Sequence, residues 1–183
     1  MLAAASAAGD HTVQGWTHML IGRYGTFTGA DEDDGRGHIF QALDHFQRAG
    51  DLPGQAWAHL FAALACSWER EWAEGITHCG QALAMFRQAD DRAGLGLALA
   101  GLGIGHAHLG NYDQARGYAR QVLEVPAQAG DPTSRALAWD ALGLAHCRLG
   151  EHRQAIGCYQ RALALVDQAK TPGSPQDAGQ AAD

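Results

Sequence analysis

The chain has 183 residues, 46% of them hydrophobic and 18% charged, with a formal net charge of −7. That length suits one compact domain or one short repeat array, and the apolar fraction excludes wholesale disorder. The negative balance argues against direct nucleic-acid binding, which needs a cationic face to displace counterions from phosphate. No run approaches the ~18 apolar residues of a membrane span, so a membrane partner is not expected.

The opening residues MLAAASAAGDH carry no Lys or Arg and no long apolar core, which argues against a secretory leader. Residues 1–10 read as a disordered arm. Residues 11–49 read as a degenerate helix pair. Val13, Trp16, Leu20 and Tyr24 mark an amphipathic helix, and Gln41-Ala42-Leu43 and Phe46 anticipate a pattern found 40 positions later. Between them runs the acidic loop Ala30-Asp31-Glu32-Asp33-Asp34-Gly35. An EF-hand would need a carboxylate first and Glu twelfth, where this chain has Ala30 and Gln41, so no calcium site is expected.

From Gly50 onward the chain repeats itself. Asp51, Asp91 and Asp131 are spaced by 40, and the same offset aligns segments 50–89, 90–129 and 130–169. Leu64, Ile104 and Leu144 coincide, as do Leu83, Leu123 and Leu163. Each segment reads as two helices. In the third, Ala138, Leu142, Ala145 and Leu149 form one stripe, Gly150 breaks the chain, and Ala155, Ile156, Tyr159, Ala162, Leu163 and Val166 form a second. Asp at the segment starts, followed by Pro53 and Pro132, supplies a carboxylate for a free amide and an imide that leaves none unsatisfied. No useful period-two alternation occurs, so no sheet is expected. Residues 170–183, with Pro172, Gly173, Ser174 and Pro175, read as a disordered tail. The expected fold is all-α, a solenoid of helix pairs with a 40-residue period.

The four cysteines, Cys66, Cys79, Cys147 and Cys158, have no CxxC spacing and lie in helix-like sequence. They read as free thiols in a reducing cytoplasm. Cys66, His106 and His146 occupy equivalent positions, which raises a metal reading. Equivalent positions on neighbouring helices are about 8–10 Å apart, whereas zinc needs ligands at about 2.0–2.3 Å from one centre. Core packing is favoured, and no metal or other cofactor is expected. The glycines of Gly94-Leu95-Gly96 and Gly101-Leu102-Gly103-Ile104-Gly105 follow no strand and read as close helix packing, not a phosphate loop. At about 0.8–1 kcal/mol per Gly relative to Ala, the helix that carries them is expected to be the most labile. No Ser or Cys sits in a nucleophile elbow, no catalytic residue is nominated, and the chain is not expected to be an enzyme.

Segment three reads Trp139-x2-Leu142-Gly143-x2-His146, then Ala155-x3-Tyr159-x2-Ala162. This resembles the tetratricopeptide signature, although the period is 40 residues instead of 34. The run from Ala138 to Leu163 is also similar to the C-terminal tetratricopeptide arrays of actinobacterial SARP-type transcriptional regulators. In those proteins the array follows DNA-binding and nucleotide-binding domains; this sequence has no GxxxxGK[ST] loop and no basic recognition helix. The resemblance implies a protein- or peptide-binding module with a regulatory role, free-standing or part of a longer regulator. A signal-peptide receptor is the first alternative, and a metal-binding or enzymatic accessory protein the second.

By that resemblance, the first helix of each pair lines a concave groove. The positions implied are Trp57, Leu60, Leu64 and Trp68; Leu97, Ala100, Ile104 and His108; and Leu137, Asp140, Leu144 and Arg148. An amphipathic helix or apolar peptide would suit such a strip. The last helix offers Ile156, Tyr159, Leu163 and Val166 where arrays usually end in a polar cap, so a homodimer through this helix is expected.

Overall fold

The computed structural model describes residues 10–28, 35–125 and 130–170. Among them lie eight helices and no strand: α1 (His11–Thr28), α2 (Gly35–Ala49), α3 (Leu52–Trp68), α4 (Trp72–Ala89), α5 (Arg92–His108), α6 (Tyr112–Glu124), α7 (Pro132–Arg148) and α8 (His152–Lys170). The expected arm before Asp10, most of the acidic loop and the tail beyond Lys170 lie outside the described residues. The fold is an all-α solenoid. Antiparallel hairpins α1/α2, α3/α4, α5/α6 and α7/α8 stack in chain order, with α3, α5 and α7 side by side along one surface.

The period is written in the helix ends. The carboxylates of Asp51, Asp91 and Asp131 accept the amide hydrogens of Gly54, Gly94 and Ser134 at 2.9, 2.9 and 2.7 Å. Each satisfies one of the orphan donors of a helix N-terminus. Within hairpins α3/α4, α5/α6 and α7/α8 the chain reverses through a left-handed residue: Arg70 at φ 63°, Gly110 at φ 82° and Gly150 at φ 78°. The first turn lacks a glycine yet adopts the same geometry, so Arg70 carries a conformational strain that its two counterparts escape.

The hairpins are joined by one recurrent contact. Phe46 and Phe86, 40 positions apart, are both fully buried. Each ring lies flat against the first turn of the next hairpin, at a glycine. A Cβ on Gly54 would sit 2.4 Å from Phe46 Cδ1, and one on Gly94 only 2.3 Å from Phe86 Cε1. Gly15 of α1 also touches Phe46, where a Cβ would come within 2.6 Å. Trp16 meets Phe46, and Trp57 meets Phe86, edge-on at 5.3 Å. Around these rings the core is mostly alanine, with Ala56, Ala82, Ala98, Ala119, Ala138 and Ala141 all essentially inaccessible. Small side chains let the helices approach closely while large ones fill the remaining gaps.

Hairpin α1/α2 is held by a column of histidines. His11 Nδ1 lies 3.1 Å from His45 Nδ1, and His18 Nδ1 lies 2.8 Å from His38 Nδ1. The His18 and His45 rings stack at 5.4 Å. Such contacts need at least one neutral imidazole in each pair. Burial, then the His38 and His45 charges, lower the pKa of His18; burial, then His11, lower that of His45, with Asp44 and Arg48 pulling in opposite directions.

Two predictions follow from this packing. Gly94→Ala destabilises the fold by about 1–3 kcal/mol, the usual overpacking range, because the buried Phe86 ring cannot withdraw. By contrast Gly117→Ala and Gly157→Ala, where a Cβ meets nothing within 4 Å, stabilise it by up to about 1 kcal/mol through helix propensity; denaturant titration of the three variants checks both signs. The histidine column makes α1/α2 acid-sensitive. Above the ordinary histidine value of 6.5 the imidazoles are neutral whether folded or unfolded, but below it the unfolded hairpin takes up protons that His18 and His45 resist. Stability therefore falls as pH drops through 6.5 towards the folded values. Hydrogen exchange should show α1/α2 protection falling between neutral and mildly acidic pH, with a flatter profile in a His18→Gln/His45→Gln variant.

Candidate functional site

The face formed by the first helices α3 and α5 carries a groove with a cavity volume of about 400 Å³. Helix α3 supplies one wall with Trp57, Leu60 and Leu64, and α5 the facing wall with Leu97 and Ile104. Trp72 and Cys79 of α4 close the base, and Leu137 of α7 stands at the far end. The walls are almost entirely apolar, because the inner stripe of each first helix is aliphatic or aromatic and the polar residues are turned outwards. Gly75, Gly101 and Gly105 also line the groove. A Cβ on Gly101 would lie 2.6 Å from Cys79 Sγ and one on Gly105 2.7 Å from Ile76 Cγ1, so these glycines let α5 sit close on α4.

A second cavity of about 480 Å³ continues from this groove between α7 and α8. The two share Thr133 and Leu137, and the second adds Asp140, Ala162, Leu163, Leu165 and Val166. Asp140 reaches solvent, but its apolar surroundings raise its carboxyl above the ordinary carboxylate range, with nearby His108 drawing it back. His108 lies flat on Trp72, ring centres 3.7 Å apart and planes 2° from parallel.

The twelve groove positions nominated from the sequence therefore separate. Trp57, Leu60, Leu64, Leu97, Ile104 and Leu137 come together in the first cavity, and Asp140 joins the second. His108 stacks on a groove residue without lining either cavity. Trp68 is 63% exposed at the end of α3, Leu144 is half-buried, and Arg148 is exposed at the end of α7; none of the three lines either of these two cavities. Ala100 is fully buried between helices. Trp68 and Arg148 are the last residues of their helices, beyond the stripe that meets the groove, whereas Leu144 shares the repeat position of Leu64 and Ile104 and still lines neither cavity. Sequence reasoning missed Trp72, Cys79, Phe61 and the glycines. They sit on second helices or one position off the assumed stripe, where repeat alignment alone gives no signal.

On α8, Ile156 and Leu163 are more than half exposed and Val166 is 39% exposed. Tyr159, grouped with them from the sequence, instead faces α7, where a Cβ on Gly143 would meet its ring at 2.6 Å. That contact is the large-on-small pairing of the signature, so Tyr159 contributes to the hairpin and not to the outer face. Arg161 lies over the Trp139 ring at 4.6 Å and covers the other large signature residue.

Cys66, His106 and His146 do not converge on one point. His146 hydrogen-bonds Glu151, and Arg116 bonds Glu151 at 2.9 Å, which ties α6, α7 and the start of α8 together. Those contacts, His146 foremost, hold the Glu151 carboxyl below the ordinary range. His106 stacks on Tyr118 and lies 3.3 Å from Asn111 Nδ2. Among the described residues a single group of metal-ligating side chains clusters, Cys66, Glu74 and His78, all within one hairpin. His78 also contacts His59, Nδ1 to Nδ1 at 3.0 Å, and burial, then His78, pushes His59 down to about 4.

Stacked helical hairpins with a continuous apolar groove on the side of their first helices define a repeat solenoid of the kind that serves as a protein-interaction module. Two family models, both described as tetratricopeptide repeat, match residues 54–128 and 136–169, so the chain carries tetratricopeptide repeats over these two stretches. The sequence matches no curated protein. Among solved structures it is similar to BtubC (BKLC) from P. vanneervenii, with a TM-score of 0.68 at 16% identity over 95% of this chain and 72% of that one. It is also similar to a Podospora anserina protein described as a kinesin light chain with nearly identical TPR-like repeats, with a TM-score of 0.65 at 13% identity over 93% of this chain and 84% of that one. Likeness at these identities concerns the fold. No helix among the described residues is long and apolar enough to cross a membrane.

Proposed function

We propose that the chain is a non-catalytic, regulatory peptide- or protein-binding module whose ligand lies in the α3/α5 groove. The observation that carries this reading is an open apolar cavity on the inner helices, where the walls expose Trp57, Leu64 and Ile104 and are not filled by a neighbouring element. Burying such a surface is worth roughly 25 cal/mol per Å², and an amphipathic helix or extended apolar peptide has the shape to cover it. Asp140 at the continuation of the groove favours a ligand with a basic group at that end. A transcriptional setting has one support, the likeness of segment three to the SARP-type arrays. The signal-peptide reading concerns the same groove and differs only in the origin of the peptide. A cytoplasmic location fits the four free cysteines, three of them buried.

Peptides selected from a random library on the purified chain test the groove. Leu64→Glu and Ile104→Glu should weaken the selected peptides at least about tenfold, a change of about 1.4 kcal/mol, with unchanged helical circular dichroism. Undiminished binding in both variants overturns the groove assignment.

A second reading rests on a different observation, the exposure of Ile156, Leu163 and Val166 on the terminal hairpin. These side chains support self-association through α8, without direct nucleic-acid or membrane contact. Light scattering at tens of micromolar should show a dimer that Leu163→Glu returns to monomer; a monomeric parent chain rules it out.

A further inference from the structure

Cys66 lies near the end of α3 and is completely buried; Glu74 and His78 lie one helical turn apart on α4, across the Arg70 turn. Their ligand atoms all fall within 4.8 Å of one another. We propose that Cys66 Sγ, Glu74 and His78 form a binding site for a borderline-soft divalent cation of the zinc class, which clips α3 to α4 at the first hairpin turn.

Three features of the surroundings point the same way. The donor set mixes a thiol, an imidazole and a carboxylate, the ligand types zinc prefers, whereas magnesium and calcium take oxygen alone. Tetrahedral zinc brings such ligands to about 2.0–2.3 Å from the ion; binding would draw the three ligand atoms closer than the 4.8 Å within which they now lie, and Glu74, the exposed member, has the most freedom to move. His78 is also oriented. Its Nε2 lies 3.7 Å from Glu74 Oε1 while its Nδ1 faces His59 Nδ1 at 3.0 Å. Donation from His78 Nδ1–H to His59 leaves the Nε2 lone pair directed at the cluster, the outer-shell arrangement that fixes a ligating histidine.

The local charge is matched as well. Arg36 of α2 bonds Glu69, and also Glu71 at 2.6 Å and Glu74 at 2.7 Å. Three carboxylates against one guanidinium leave two negative charges beside the thiol. Glu74 keeps a second oxygen for the ion while Arg36 holds the first. On binding, the Cys66 S–H bond breaks, an S–metal bond forms and the proton passes to buffer; no electron changes hands. With three protein ligands the fourth position is open to water, Glu71 or a partner's side chain.

The test titrates the full chain, freed of metal and kept reduced, with Co²⁺ and then Zn²⁺ alone. The expected result is one equivalent of Co²⁺ bound with thiolate-to-metal absorption, displaced by one equivalent of Zn²⁺. Cys66→Ala should abolish the absorption. Glu74→Gln, at an exposed position that does not threaten folding, should weaken Zn²⁺ at least about tenfold, as loss of a ligand must when outer-shell losses alone reach that size. Cys147→Ala and His11→Gln/His45→Gln should leave binding unchanged. Absence of stoichiometric binding, binding undiminished in Glu74→Gln, or binding lost on removing the histidine column each overturns the site. Peptide binding through the groove is measured separately, with and without Zn²⁺, so failure of one assignment leaves the other standing.

Discussion

The solenoid depends on a phenylalanine ring lying against a glycine. Phe46 and Phe86 close the second helix of one hairpin onto the first turn of the next, and the contact exists because Gly54 and Gly94 have no Cβ to hold the ring away. Each of these rings buries a large apolar area in a core made mostly of alanine, so the contact contributes strongly to the stacking of neighbouring hairpins. The Asp cap acts at the same place. Asp51 and Asp91 bond the amides of those same glycines, which fixes the first turn against which the ring packs. In the third copy, Ser134 stands where the glycines stand, its amide bonded by Asp131 and its hydroxyl donating to the Asp131 carbonyl at 2.9 Å. The cap therefore persists when the glycine does not.

Much of this was legible in the sequence because caps and turns are local. Asp at 40-residue intervals, Pro in the first turn, and Gly110 and Gly150 at the reversals each act within four residues, so their meaning survives without tertiary knowledge. The first reversal was harder, since Arg70 takes a left-handed conformation that its type does not advertise. The groove was legible for the middle of each first helix, where Leu64 and Ile104 repeat. It was not legible at helix ends, because a 3.6-residue stripe curving with the solenoid carries Trp68 and Arg148 away from the floor. The metal-ligating cluster was hidden for a different reason. Alignment of repeats compares Cys66 with His106 and His146, positions that the stacking keeps in separate surroundings, whereas the residues that meet are neighbours across a single hairpin.

The N-terminal hairpin and the first turn share an electrostatic logic. Arg36 reaches from α2 to three glutamates around the α3/α4 turn, and this contact raises the guanidinium pKa further while it lowers that of Glu71. The pairs are partly exposed, so each is worth little alone. Together they orient a turn that already carries the strain of Arg70, and they bring α2 over the hairpin that forms one wall of the groove. The histidine column lies on the same hairpin. Loss of α1/α2 in acid would withdraw the Phe46 ring from the first turn of α3 and uncover Phe61, which lines the groove on the same helix.

The depth of the groove follows from what its central helix lacks. Helix α5 carries glycine at 94, 96, 101, 103 and 105, at a cost in helix propensity of about 0.8–1 kcal/mol each. Three of these, Gly94, Gly101 and Gly105, meet atoms of α4 at distances no side chain would allow. A helix of ordinary composition would stand farther from α4, and Leu97 and Ile104 would move with it into the space between α3 and α5. The glycines thus hold α5 back against α4 and keep the cavity open, and the intrinsic weakness of this helix is offset by the close packing that only glycine permits.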